Sequence, residues 1–175
     1  MRNAAFMAIG LFFILLQAQI YRVLGPFGLH GATPSLVLPL VIFLGVHEHS
    51  MPRGALLAFG LGYLLDLLGV APLFLFTFVF VALWALARVA GVRLTAQTVL
   101  TRFTLGFVFS IVESAIVLVL LAIFGSDNRR PLDIASVVMP RALATAACAP
   151  LVFRLAQRLQ QVGIATHAPA EAPPG

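Results

Sequence analysis

The sequence predicts an all-α membrane protein, a bundle of six transmembrane helices. Three observations point there. The 175-residue chain is 61% apolar and only 10% charged, and its mean hydropathy is +1.05. A soluble domain carries about 25% charge and about 45–50% apolar residues. The apolar residues fall in long runs separated by short segments rich in Gly, Pro and Arg. At roughly 20 residues per crossing plus short loops, these runs use up the chain and leave no room for a soluble domain. We therefore expect one polytopic domain over 1–160, with spans near 3–21, 34–47, 53–69, 72–90, 97–124 and 134–157. A Pro- and Ala-rich tail over 161–175 is expected to be disordered.

The first run follows Arg2. It is longer than the apolar stretch of a usual secretory signal, and no small-x-small cleavage site follows it. It is expected to be a retained first span, with Tyr21 and Arg22 at the far interface. Leu24 to Thr33 is a Gly- and Pro-rich connection. Pro34 then opens a short second span, with Thr33 or Ser35 as a helix cap and a kink expected at Pro39. His47, Glu48 and His49 precede Pro52 in the next loop. Metal-binding His pairs on a helix sit four apart; here the spacing is two, so a solvated loop is expected and no metal.

The third span is the most informative stretch. Gly54, Ala58, Gly62 and Asp66 recur every fourth residue and fall on one helical face. Small residues at that spacing let a second helix approach closely in lipid. Gly60 adds a further small residue, and Gly69 lies in the turn that ends at Pro72. The fourth span is Phe-rich, which suits lipid contact, with Trp84 expected as an interfacial anchor. In the fifth, Arg102, Gly106, Ser110 and Glu113 share a face through spacings of three and four. The sixth contains Arg141 between Pro140 and Pro150, Asp133 as a possible cap, and a ridge of Ala142, Ala146 and Ala149.

All eleven basic residues are Arg. By alternation, Arg2, Arg53, Arg88, Arg93, Arg154 and Arg158 fall on one side, and Arg22, Arg129 and Arg130 on the other. The basic excess marks the cytoplasmic side, so both termini are expected there. The scatter of these residues into loops argues against nucleic-acid binding. The single Cys148 excludes an intramolecular disulfide and a Cys-based metal cluster.

A charge at the centre of a span costs about 2.5–3.5 kcal/mol on insertion scales. Three roles are open for Asp66: a helix end at interfacial water, a hydrogen bond to a neighbouring helix or loop, or coupling to a proton or ligand. Glu113 lies about 16 Å from one end of its helix and Arg141 about 10 Å from its own, at about 1.5 Å per residue. Long side chains can close that gap, so the two are expected to pair; the alternative is that each faces a hydrated cavity. No Ser/His/Asp set shares one depth, and no HExxH, P-loop or strand-linked GxGxxG occurs. No enzyme and no cofactor are expected.

The chain resembles a known family in a first span ending in Gln, a Gly-rich connection and Pro34-Ser35-Leu36 opening the second span. It continues with Gly54-Ala55-Leu56-Leu57-Ala58-Phe59-Gly60-Leu61-Gly62-Tyr63-Leu64-Leu65-Asp66, then Gly69 and Pro72-Leu73. These features are similar to MreD, the rod shape-determining membrane protein of bacteria, over about residues 5 to 160. In that family the second span commonly opens with Pro-Asp; here Ser35 retains the capacity to cap but not the charge.

The resemblance implies a fold similar to the substrate-binding subunits of energy-coupling-factor vitamin transporters. It implies an inner-membrane scaffold of the cell-elongation machinery, with MreC, a bitopic membrane protein, as direct partner. MreB, RodA and a class B penicillin-binding transpeptidase complete that machinery. The shared fold sets a rival reading beside it, a small-molecule substrate-binding subunit, with Asp66, Arg102, Glu113 and Arg141 available to line a pocket.

Overall fold

The computed structural model describes residues 2–24, 33–48, 50–69, 74–91, 98–124 and 131–165. They form six helices: α1 (Arg2–Leu24), α2 (Val37–His47), α3 (Met51–Leu68), α4 (Leu75–Gly91), α5 (Val99–Phe124) and α6 (Pro131–Ala165). There is no strand among the described residues. Four helices are long and apolar enough to cross a membrane, over Ala4–Val23, Met51–Leu68, Val99–Leu120 and Val137–Leu159, and α2 and α4 are shorter apolar helices. The regular structure of the described residues is all helical, and by length and composition these helices are those of a membrane protein.

The shortest helix occupies the middle. α2 has 11 residues and every side chain from Val37 to Gly45 is buried. A helix that is apolar all round belongs in a core, and α2 touches each of the other five helices. It is about 17 Å long at 1.5 Å per residue, roughly half of the ~30 Å hydrocarbon thickness. It begins at Val37 and not at Pro34. Pro39 consequently sits in the first turn, where its missing N–H forfeits no helix bond, and the expected mid-helix kink has no basis.

α3 packs on α4, and α5 on α6, through small residues. A Cβ added at Gly62 would stand 2.5 Å from Thr77 Cα and 2.8 Å from the Phe76 carbonyl oxygen. One added at Gly54 would stand 2.7 Å from Trp84 Nε1. Ala58 between them is fully buried. The every-fourth-residue face of α3 is thus the seat of α4. Gly60 points elsewhere, to the tip of Met7 on α1. Gly106 of α5 meets Ala149 and Ala146, so the alanine ridge of α6 receives α5.

Several expectations are corrected. Trp84 is buried against Gly54, with the Arg88 guanidinium 5.9 Å from its ring centroid; it anchors α3 to α4 and not the helix to an interface. Only part of α4 is left for lipid: Phe78, Leu86 and Val89 are exposed, whereas Val79, Phe80, Leu83 and Ala87 are buried. The segment after α2 is not a solvated loop. His47 stacks on Phe43 at 4.3 Å, and Glu48 is buried with its carbonyl accepting from Arg88 at 2.7 Å. α6 starts at Pro131, which puts Asp133 inside the first turn, and it continues to Ala165, so residues 161–165 are helical. His49, Pro72 and residues 166–175 lie outside the described residues.

The contrast between two glycines of α3 is testable. Gly62→Ala drives a methyl into the α4 backbone and is expected to cost about 1–3 kcal/mol. Gly60→Ala meets only a flexible Met side chain and gains about 1 kcal/mol of helix propensity, so its stability should hold or rise. Thermal unfolding in detergent compares them; equal losses at both positions would contradict the packing.

Candidate functional site

Two polar centres lie inside the bundle, each at the start of a short helix. The first is Asp66, at the end of the small-residue face of α3. Phe74 carries φ 69°, and its carbonyl accepts the first bond of α4 from Phe78 N–H at 3.0 Å. Phe74 therefore stands at the N-cap position with no polar side chain to offer. The donors that an N-cap side chain ordinarily satisfies are those of the second and third helical residues, here Phe76 and Thr77. Both N–H groups donate to the Asp66 carboxylate at 2.9 Å, and the Thr77 hydroxyl donates at 2.6 Å. Asp66 is 2% exposed. Of its three open roles, the structure selects the hydrogen bond to a neighbouring helix.

The second centre surrounds the start of α2. Thr33 to Leu36 are non-helical, and the cap residue Leu36 makes no side-chain cap bond. The chain's free donors go to other helices. Ser35 N–H donates to Thr145 Oγ1 on α6 at 3.0 Å, and Leu36 N–H to Gln17 Oε1 on α1 at 3.3 Å. The Ser35 hydroxyl donates to Glu113 Oε1 on α5 at 3.4 Å. Ser35 is thus a bridge between α5 and α6 and does not cap its own helix.

Glu113 and Arg141 come together in this centre. Arg141 Nη2 stands 3.3 Å from Glu113 Oε1, with the Glu side chain 1% exposed and the Arg side chain 31%. The carboxylate is fully buried while the guanidinium is partly exposed at the bundle surface. Glu113 Oε2, Ser110 Oγ and Arg141 Nε are buried without a partner in the structure. Thr145 Oγ1 in turn donates to the Arg141 carbonyl at 2.8 Å.

The remaining residues singled out by sequence disperse. Arg102 lies eleven residues before Glu113 on α5, about 16 Å away along the axis, at the end of the bundle where it acts on His47. Gly69 is the exposed C-cap of α3, its N–H donating to Leu65 at 2.9 Å. Pro34 is buried just ahead of α2. Gln17, Thr77 and Thr145 were missed. Each is uncharged and set in an apolar run, Gln17 with Gln19 two residues on, and the only available signal was a polar side chain at membrane depth. Among the described residues, no three His, Cys, Asp or Glu side chains gather as a metal site. What both centres do is satisfy backbone N–H donors near helix starts with side-chain acceptors of other helices.

Compared with protein families, curated proteins and solved structures, the chain finds no match.

Removing the Asp66 acceptor orphans two backbone donors. Asp66→Ala is expected to cost about 2 kcal/mol, the upper range for a lost N-cap, and Asp66→Asn less, because one acceptor oxygen remains; unfolding in detergent reads the difference. Glu113→Gln and Arg141→Gln should each lower the yield of folded protein. The double variant should lose less than the sum, with a coupling of about 0.5–3 kcal/mol. Strict additivity would contradict the pair.

Proposed function

We propose that this chain is a non-enzymatic scaffold of the bacterial cell-elongation machinery, acting in the inner membrane through lateral helix contacts. The observation that carries the reading is the α3 face. Gly54, Ala58, Gly62 and Asp66 form the most specific part of the resemblance to MreD; Gly54, Gly62 and Asp66 are spent on holding α4, and Ala58 is buried between them. A motif consumed by internal architecture fits a protein whose work is to present helices. Large apolar side chains remain exposed for that purpose, among them Phe12 and Leu15 on α1 and Phe78 on α4.

On this reading MreC docks one of these faces with its single helix. RodA, the class B penicillin-binding transpeptidase and MreB share the assembly, and peptidoglycan synthesis is positioned for rod shape. The distribution of arginines supports an orientation with both termini in the cytoplasm. The similarity to substrate-binding subunits of energy-coupling-factor transporters belongs to the same proposal.

One observation favours a second reading, a substrate-binding subunit for a small molecule. Gln17, Ser35, Glu113, Arg141 and Thr145 converge from three helices and the α2 start. The scaffold ranks above it because these groups bond mainly to one another, and because Asp66 lies outside the cluster and is fully engaged.

Affinity purification of the tagged protein from native membranes separates the two. Recovery of MreC and elongation synthases is the expected result. Recovery of a transporter transmembrane subunit with ATPases would overturn the scaffold.

A further inference from the structure

α1 and α3 run in the same direction. Gly10 lies against Leu61, and Gly60 against Met7, so the two helices touch closely over their middle turns. Beyond these contacts they part. A cleft of about 590 Å³ opens between their C-terminal ends, with Thr33 at one side. Its walls are apolar, from Ile14, Leu15, Leu65 and Leu68. Leu15 and Leu68 are also exposed on the outside of the bundle, so the cleft is continuous with the surface that faces acyl chains.

Its polar groups are ordered by depth. Arg22 and Tyr21 stand at the mouth, in the last turn of α1, where the apolar stretch ends at Val23. Gln17 lies five residues deeper, about 7.5 Å along the helix. Its Oε1 is occupied by Leu36 N–H, which leaves the amide nitrogen as its remaining donor. A cation at the membrane surface, an amide donor below it and an apolar slot beside both match one kind of molecule. A guanidinium pairs with phosphate oxygens in a fork, an amide N–H suits an ester carbonyl, and the leucines suit a hydrocarbon chain.

We propose that the cleft between the C-terminal ends of α1 and α3 binds an anionic phospholipid. Its phosphate sits at Arg22, its glycerol ester region at Gln17, and one acyl chain lies along Leu15, Leu65 and Leu68. The site is independent of the scaffold reading, because it needs only that the helices cross a membrane.

The test uses the full-length protein in phosphatidylcholine vesicles containing a minor share of phosphatidylglycerol with a photoactivatable acyl chain. Labelled peptides are mapped by mass spectrometry. Labelling is expected to concentrate on Leu15, Leu65 and Leu68. Arg22→Gln, an exposed change that disturbs no core contact, should lower that labelling about fivefold, the factor one arginine contributes beside an anionic headgroup. Arg158→Gln, at a different helix end, should leave it unchanged.

Labelling spread evenly over all helices would overturn the proposal. So would equal labelling from photoactivatable phosphatidylcholine, or an Arg22→Gln protein that labels like wild type. A photoreactive residue at position 68 that cross-links in native membranes to another protein's helix, with no lipid enrichment, would assign the cleft to that partner instead.

Discussion

A backbone N–H buried away from water and left unpaired costs several kcal/mol in a membrane interior, and two helices of this bundle begin among buried residues, Ser35 and Leu36 ahead of α2 and Thr77 in the first turn of α4. Neither α2 nor α4 carries a polar residue at its cap position. Both borrow acceptors from other helices: Asp66 of α3 for α4, and Gln17 of α1 with Thr145 of α6 for the approach to α2. Most of the polar interior follows from that need. The glycine face of α3 ends in a carboxylate because the helix it packs against starts there. The non-helical residues before α2 are tolerated at depth because three helices enclose them.

Glu113 extends the same logic to charge. A carboxylate with 1% exposure is costly unless compensated, and a buried ion pair alone often fails to repay its desolvation. Here the compensation comes from the Arg141 guanidinium and the Ser35 hydroxyl, both on one carboxylate oxygen. Arg141 is partly exposed, so only one of the two charges is fully buried. The pair ties α5 to α6 at the level where α2 begins, and links three helices that small-residue packing alone would leave free to slide.

Periodicity along single helices carried much of the architecture. The number of helices, the shared face of Gly54, Ala58, Gly62 and Asp66, and the alanine ridge of Ala142, Ala146 and Ala149 can all be read along the chain without knowing which helix stands opposite. What the sequence hid is which helix stands opposite. Gln17 and Thr145 look like incidental polar residues until the α2 start is placed beside them. Trp84 near a basic helix end reads as an interfacial anchor, yet Gly54 makes room for it inside. Pro34 marks a plausible helix start, but the donors of Ser35 and Leu36 are taken by other helices and the helix begins only at Val37. Glu48 reads as solvated because its neighbours are polar; its burial depends on Arg88, forty residues away.

Amide hydrogen exchange of the protein in lipid nanodiscs tests the central claim most directly. If side chains of other helices satisfy these donors, the amides of Ser35, Leu36, Phe76 and Thr77 exchange slowly, although none has a backbone partner in its own helix. Asp66→Ala then speeds exchange at Phe76 and Thr77 and leaves Ser35 and Leu36 protected. Fast exchange at all four amides in the wild-type protein would mean that water satisfies them, and would contradict the account.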